Sequence, residues 1–137
     1  MNLYQQWLRP LFFRLDPETV HQLACTFLRR PFLGRLIGGE GLFVRDKRLQ
    51  VRLGDLNLEN PVGLAPGFDK DCEMLDSLGR LGFGYIVAGS VMCDRRVGNP
   101  RPRMLRLPEQ KAILSCMGLS SKGLDDVARR SGISLRL

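Results

Sequence analysis

Residues 63–71 read "GLAPGFDKD". A short apolar run ends in Pro66 and Gly67, and Asp69 and Lys70 follow at once. The run reads as a buried strand, and the residues after it as the loop at its carboxyl end. Downstream, "DCEMLDSLGRLG" (71–82) has a helical pattern, with Met74, Leu75, Leu78 and Leu81 on one side. Next, "FGYIVAGSV" (83–91) reads as a second buried strand. Strand, helix and strand at this spacing predict a parallel βαβ unit, so the fold class is α/β. Upstream, "RLQVRLGDLNLEN" (48–60) alternates apolar and polar residues on both sides of Gly54-Asp55, which predicts a β-hairpin.

Ligands of such folds bind at the carboxyl ends of the parallel strands. One strand end carries Ala65, Pro66, Gly67, Asp69 and Lys70; the other carries Gly89 and Ser90. Glycine lets a flat ligand or a phosphate approach the backbone. Lys70 offers an ammonium to a carboxylate or a developing negative charge. It reads equally as a solvated lysine at a helix start, and Asp69 as a helix cap. Gly82 and Gly84 lack the spacing of a dinucleotide fingerprint.

Beyond the second strand lies "MCDRRVGNPRPRMLRLPEQKAILSCMGLSSKG" (92–123). It reads as a long, basic, proline-bearing loop with an extended stretch at Met104–Leu107. A turn at Gly118 follows, then a helix from about Lys122 to Arg130. Loops of this length inside a compact domain usually serve a function.

The first 45 residues differ in character. "LYQQWLRPLFFRL" (3–15) spaces Leu3, Trp7, Leu8, Leu11 and Phe12 helically, with Pro10 predicting a kink or a late start. In "DPETVHQLACTFLRR" (16–30), Asp16 is suited to the N-cap, Pro17 to the first helical position and Glu18 to the positive helix end. Val20, Leu23, Ala24, Phe27 and Leu28 are expected on one face. "PFLGRLIGGEGLF" (31–43) reads as a short apolar helical turn ending in glycines. Arginines alternate with the aromatic residues throughout. Two readings fit: the apolar faces pack on the domain core, or they lie in a membrane interface.

Size and composition set the bounds. The chain has 137 residues, enough for a single core, and a net charge of +7. That excess favours an anionic partner, phosphate or membrane surface. The arginines are scattered, so no nucleic-acid partner is expected. Cys25, Cys72, Cys93 and Cys116 form no C-x-x-C pair, and His21 is the only histidine. No metal site is expected, and the thiols read as reduced. No apolar run reaches the roughly 18–20 residues of a spanning helix.

The order of the pieces is more specific than any one of them. "RPLFFRLDPETVHQLA", "NPVGLAPGFDKD", "LGFGYIVAGSV" and "GNPRPRMLRLPEQKAILSCMG" together resemble the start of the membrane-associated, quinone-dependent (class 2) dihydroorotate dehydrogenases. The resemblance runs from about Arg9 to Gly123. It implies a helical membrane and quinone segment (1–45), then the hairpin and first β/α units of an incomplete TIM (β/α)8 barrel (46–137). In that family FMN takes a hydride from dihydroorotate, giving orotate in pyrimidine biosynthesis, and electrons pass to membrane quinone.

By resemblance, Ala65, Pro66, Gly67, Phe68, Asp69 and Lys70 lie against FMN, and Lys70 also reaches the substrate. Ser90 meets the flavin from the second strand end. Ser115, Cys116, Met117, Gly118 and Leu119 form the substrate loop. His21 and Arg106 belong to the quinone tunnel. The resemblance also turns residues 1–45 toward the membrane-interface reading. It implies peripheral attachment to the cytoplasmic face of a bacterial membrane, or to the inner mitochondrial membrane in a eukaryote.

Several positions depart from the family pattern. Its substrate loop reads Asn-Arg-x-Gly-Phe-Asn, where this chain has "SCMGLS" (115–120). Pro66 stands where alanine is usual, and "GSVMCDRR" (89–96) replaces a threonine-proline stretch. Cys116 lies in the substrate loop, before the base-bearing loop would be reached, and reads as a non-catalytic thiol. No catalytic residue is assigned, because the serine-base loop and the later strands are not among these residues. The chain alone is expected to be inactive. The rival expectation is a non-catalytic membrane-surface or partner-binding fragment.

Overall fold

A computed structural model describes residues 4–30, 32 and 44–131. The helical turn expected within 31–43 lies almost wholly outside them, as does the end of the chain.

A π-helical turn, Tyr4–Leu8, runs into helix α1, Arg9–Phe13, with Pro10 in its first turn. Pro10 has no N–H to place in the ladder, and the α-helix starts only at Arg9, consistent with the late start that is one of the two expectations there. Helix α2 spans Pro17–Leu28. Asp16 caps it as the sequence predicts, accepting a hydrogen bond from the Thr19 N–H at 2.9 Å.

The predicted stripe on α2 is corrected. Cys25 and Leu28 are buried, but Leu23 and Phe27 face outward. The inward side is Glu18, His21, Cys25 and Leu28, a spacing of three, four and three. Two polar residues share that side because each finds a partner across it: Arg103 for Glu18 and Phe68 for His21.

After a 3-10 turn at Lys47–Leu49, β1 (Val51–Leu53) and β2 (Leu56–Leu58) form the expected antiparallel hairpin. Gly54 turns the chain with φ of +58°, an angle that costs glycine little. The βαβ unit is also present. Strand β3 (Gly63–Leu64) pairs in parallel with β4 (Tyr85–Ile86), and the one-turn helix α3 (Leu75–Leu78) lies between them in sequence.

All three pieces are shorter than the pattern suggests, and the strands are not buried. β3 is half-buried, and Tyr85 and Val87 are exposed. With only two strands paired, one face of each lacks neighbours. Just ahead of helix α3 the Asp69 carboxylate accepts hydrogen bonds from the N–H groups of Glu73 and Met74, at 2.8 and 2.9 Å, and Gly79 stands at its C-cap.

The expected extended stretch is β5 (Met104–Leu107). It pairs with a strand the sequence reading did not mark, β6 (Ala112–Ser115), in a second antiparallel hairpin. Helix α4, Leu124–Ser131, closes the described chain, starting two residues later than expected. The result is a mixed α/β chain of three two-stranded sheets, with no barrel closure among the described residues.

The core joins the two regions of sequence. Cys25 and Leu28 of α2 pack with Met74 and Leu78, and Leu64, Phe68, Leu81 and Ile86 surround them. Burying side chains of this size contributes roughly 1.5–3 kcal/mol each. Helix α2 is therefore part of the α/β core, while Trp7, Leu8 and Leu11 remain exposed. No described helix is long and apolar enough to cross a membrane.

Candidate functional site

The two parallel strand ends are tied together. The Gly67 N–H donates to the Gly89 carbonyl at 2.7 Å, and the Gly89 N–H donates to the Asp69 carbonyl at 2.9 Å. Ala65, Pro66 and Gly67 form an exposed ledge there, with Ser90 exposed on the neighbouring end. A Cβ at Gly67 would meet nothing within 4 Å, and its φ of +107° is one that other residues rarely adopt. The ledge is open backbone that a flat ring can approach.

Below it lies a cleft of about 340 Å³. Its walls come from three separate stretches. Helix α2 gives Glu18, His21 and Cys25; the loop after β3 gives Phe68 and Lys70; the segments around β5 and β6 give Arg103, Met117 and Ser120. The Lys70 ammonium reaches the Ser120 hydroxyl at 3.5 Å. The His21 ring meets Phe68 edge-on, centroids 5.1 Å apart, and its Nε2 lies 3.4 Å from Cys25 Sγ.

The charges in the cleft are shaped by burial first. Desolvation pulls the Lys70 pKa below the usual lysine range, and the Arg103 charge adds to this. His21 is likewise pulled down, by burial and then by the Lys70 charge, so its imidazole favours the neutral form. Burial raises the Cys25 thiol, which makes it a poor nucleophile. Glu18 is held below the carboxylate range, chiefly by its hydrogen bond from Arg103. The cleft therefore offers a cation at Lys70, a neutral ring at His21 and the hydroxyl of Ser120. That set suits a polar, anionic or flat conjugated ligand.

The structure brings His21, Phe68, Lys70 and Met117 together. It separates several others from them. Arg106 lies in a neighbouring hollow with Arg9 and Phe13, and donates to the Leu15 carbonyl at 2.6 Å. Gly118 and Leu119 line a shallow groove with Arg96 and Asn99. Ser115 ends β6, paired with Met104, so only the residues after it form a loop. Cys116 is exposed, and its N–H donates to the Arg103 carbonyl at 2.8 Å. The Asp69 side chain is committed to the two amides it caps, in agreement with the cap alternative.

Among the cleft residues that the sequence does not assign to a site are Ser120, Glu18 and Arg103. Ser120 had registered only as a departure from the substrate-loop pattern. Glu18 had been read as an acid at a helix N-terminus. It is buried and accepts from both Arg101 and Arg103. The available signal was "RPR", two arginines in one short proline-bearing stretch that can reach a common carboxylate. Arg103 was visible only as part of that motif.

Comparison with known proteins agrees with this architecture. The family model for dihydroorotate dehydrogenase matches residues 48–134. A dihydroorotate dehydrogenase (quinone) of Roseiflexus sp. strain RS-1 is 45% identical over 127 residues, covering 89% of this chain and 35% of that protein. The mitochondrial dihydroorotate dehydrogenase (quinone) of Mus musculus is 41% identical, over 94% of this chain and 32% of its own length. The crystal structure of Eimeria tenella DHODH in complex with ferulenol superposes with a TM-score of 0.75 at 35% identity, over 84% of this chain and 29% of that one. The chain thus spans about a third of the length of the relatives it matches. It belongs to the dihydroorotate dehydrogenase family and, within that family, is a partial member of the quinone type.

Proposed function

We propose that this chain supplies the helical segment (1–45) and the first β/α units (46–137) of a quinone-type dihydroorotate dehydrogenase. The reaction is FMN-dependent oxidation of dihydroorotate to orotate, with electrons passed to a membrane quinone. The observation that carries the reading is the convergence of His21, Phe68, Lys70 and Ser120 on one cleft beside the Ala65–Gly67 ledge. A helix from the N-terminal segment thus forms one wall of the cleft whose other wall is a strand end of the α/β unit.

The ledge fits FMN on its own chemistry: open glycine backbone for a flat ring, and Lys70 beside it. When bound, FMN supplies hydride acceptance from dihydroorotate. Ala65, Gly67, Phe68, Lys70 and Ser90 hold and orient it. Lys70 also meets the substrate carboxylate, while Ser115, Cys116, Met117, Gly118 and Leu119 supply the substrate side. The neutral His21 and the Arg106 hollow serve the quinone. The exposed Trp7, Leu8 and Leu11 support a peripheral position of the helical segment at a membrane surface.

Residues 1–137 alone do not complete a barrel, and we propose that alone they do not oxidise dihydroorotate. The test is orotate formation by the purified chain with FMN and a soluble quinone. None is expected; FMN-dependent and quinone-dependent turnover overturns this part of the reading. Amide NMR shifts on adding FMN test the site itself. Shifts are expected at Ala65, Gly67, Phe68, Lys70 and Ser90, and shifts confined elsewhere contradict it.

A further inference from the structure

Two sides of the cleft meet through one carboxylate. Helix α2 is fixed at its C-terminal half, where Cys25 and Leu28 pack into the core. His21 lies in the half before them, one turn after Glu18. Glu18 is the only acidic residue of α2, and it is buried. It accepts from Arg103 at 2.6 and 3.1 Å and from Arg101 at 2.9 Å. A guanidinium fork on a carboxylate fixes geometry as well as adding energy.

Arg103 also reaches the other side. Its Nη1 donates to the carbonyls of Val97 and Asn99, at 2.8 and 3.0 Å. Asn99 in turn holds the loop after β6. Its side-chain amide donates to the Cys116 carbonyl at 2.9 Å, and its N–H to the Met117 carbonyl at 3.1 Å. The Cys116 N–H returns to the Arg103 carbonyl at 2.8 Å. One relay therefore runs from the helix wall through Glu18, Arg103 and Asn99 to Cys116 and Met117. The loop end is closed by several bonds that do not involve Glu18. Among the described residues, α2 enters the relay through Glu18 alone.

That asymmetry separates two roles. We propose that Glu18 is a positioning residue for the quinone wall of the cleft, fixing the place of His21, and that Arg103 positions both this wall and the substrate loop. The proposal rests on the cleft reading above, with His21 on the quinone side and residues 115–119 on the substrate side. It adds the pair that keeps the two sides in register. Losing the Glu18 charge frees the N-terminal half of α2 and leaves the loop's own bonds in place. Losing the Arg103 side chain removes the tie and both carbonyl contacts at once.

Two measurements test this. The first uses NMR on the 137-residue chain and needs neither flavin nor turnover. The His21 and Phe68 rings stand edge-on with centroids 5.1 Å apart, so a nuclear Overhauser contact between them reports the wall. The amides of Asn99, Cys116 and Met117 report the loop. Glu18→Gln should weaken the ring contact and leave the three amide shifts in place. Arg103→Met should change both.

The second uses a flavin-loaded chimera in which the chain replaces the matching part of the Roseiflexus relative. Rapid mixing separates flavin reduction by dihydroorotate from reoxidation by a soluble quinone. Glu18→Gln should raise the quinone KM about tenfold and keep reduction by dihydroorotate within about threefold, because a displaced wall acts on one half-reaction. Arg103→Met should slow both half-reactions by about tenfold or more. Flavin absorbance confirms that each variant chimera is folded, which decides the matter even where a short variant chain unfolds.

Even slowing of both half-reactions by Glu18→Gln overturns the proposal and leaves Glu18 a general stabiliser. An unchanged ring contact in that variant also overturns it. A wild-type chimera that loads flavin yet fails to reduce quinone is a different result: it overturns the cleft reading itself, and the quinone-side role of Glu18 falls with it.

Discussion

Arg103 grips Glu18 with two hydrogen bonds, Nη2 to Oε1 at 2.6 Å and Nε to Oε2 at 3.1 Å. The two residues are 85 positions apart. The Glu18 carboxylate is buried, and Arg103 is nearly so. Arg103 also donates to the carbonyls of Val97 and Asn99. The pair thus fastens the start of α2 to the loop that leads into β5. Both residues line the cleft, so this fastening also sets its width.

Replacing Glu18 by Gln leaves the Arg103 guanidinium without its charge partner. A loss of about 2–3 kcal/mol is expected, because a buried group then lacks its counterpart. Urea unfolding measures it. The pH dependence has a definite sign. Glu18's folded pKa lies below its ordinary value, so its contribution is fully present above the ordinary carboxylate range. It is lost as pH falls through the lowered folded value. The Gln variant should lack this acid-side decline.

His21 is the only histidine, so a single imidazole resonance reports the cleft. Its pKa is expected below the ordinary histidine value. Lys70→Gln should move it upward, since the Lys70 charge contributes to the depression, while burial keeps part of the shift. Because the folded state holds the proton less tightly, stability should rise with pH through that window and level off above the ordinary value. A titration unchanged by Lys70→Gln contradicts the proximity.

Asp69→Ala removes the acceptor for two backbone amides, those of Glu73 and Met74. A cost of about 2 kcal/mol is expected, in line with the loss of a helix cap. Asn should recover part of it, having one side-chain oxygen to offer. Thermal unfolding of the two variants checks the order.

Glu73 gathers Arg29, Lys122 and Arg130 from two helices and the turn before α4. Burial raises its pKa, but the Lys122 hydrogen bond and the surrounding cations outweigh that and hold it low. The partners are substantially exposed, so Glu73→Gln should cost no more than about 1 kcal/mol and less at high salt. A urea series at two salt concentrations measures this.

What could be read from sequence was local. The Asp16 cap and the turn at Gly54 each depend on residues within four positions, and both are present. The order strand, helix, strand was also legible, because β3 and β4 are set by short apolar runs. Strand β6 was not, since "AILS" has no alternation and exposes all four residues. The Glu18 pairings were hidden by sequence separations of 83 and 85. The length of α3 was overread at both ends: a turn closed by Asp69 on the Glu73 and Met74 amides precedes it, and Gly79 stands at its C-cap.

At the cleft, chain order and motif pointed to Lys70 and His21, but not to Ser120, whose hydroxyl meets Lys70 only after 50 residues of intervening fold. Arg106 was assigned with His21, yet the two line separate hollows.

The central claim is that this chain can serve as the first third of a quinone-type dihydroorotate dehydrogenase. Its most direct test is a chimera in which the chain replaces the matching part of the Roseiflexus relative. Flavin absorbance reports assembly, and dihydroorotate-dependent quinone reduction reports function. The expected result is a flavin-loaded chimera that reduces quinone and loses at least about a hundredfold in rate on Lys70→Ala. A flavin-loaded chimera without turnover, or one indifferent to Lys70→Ala, would contradict the account.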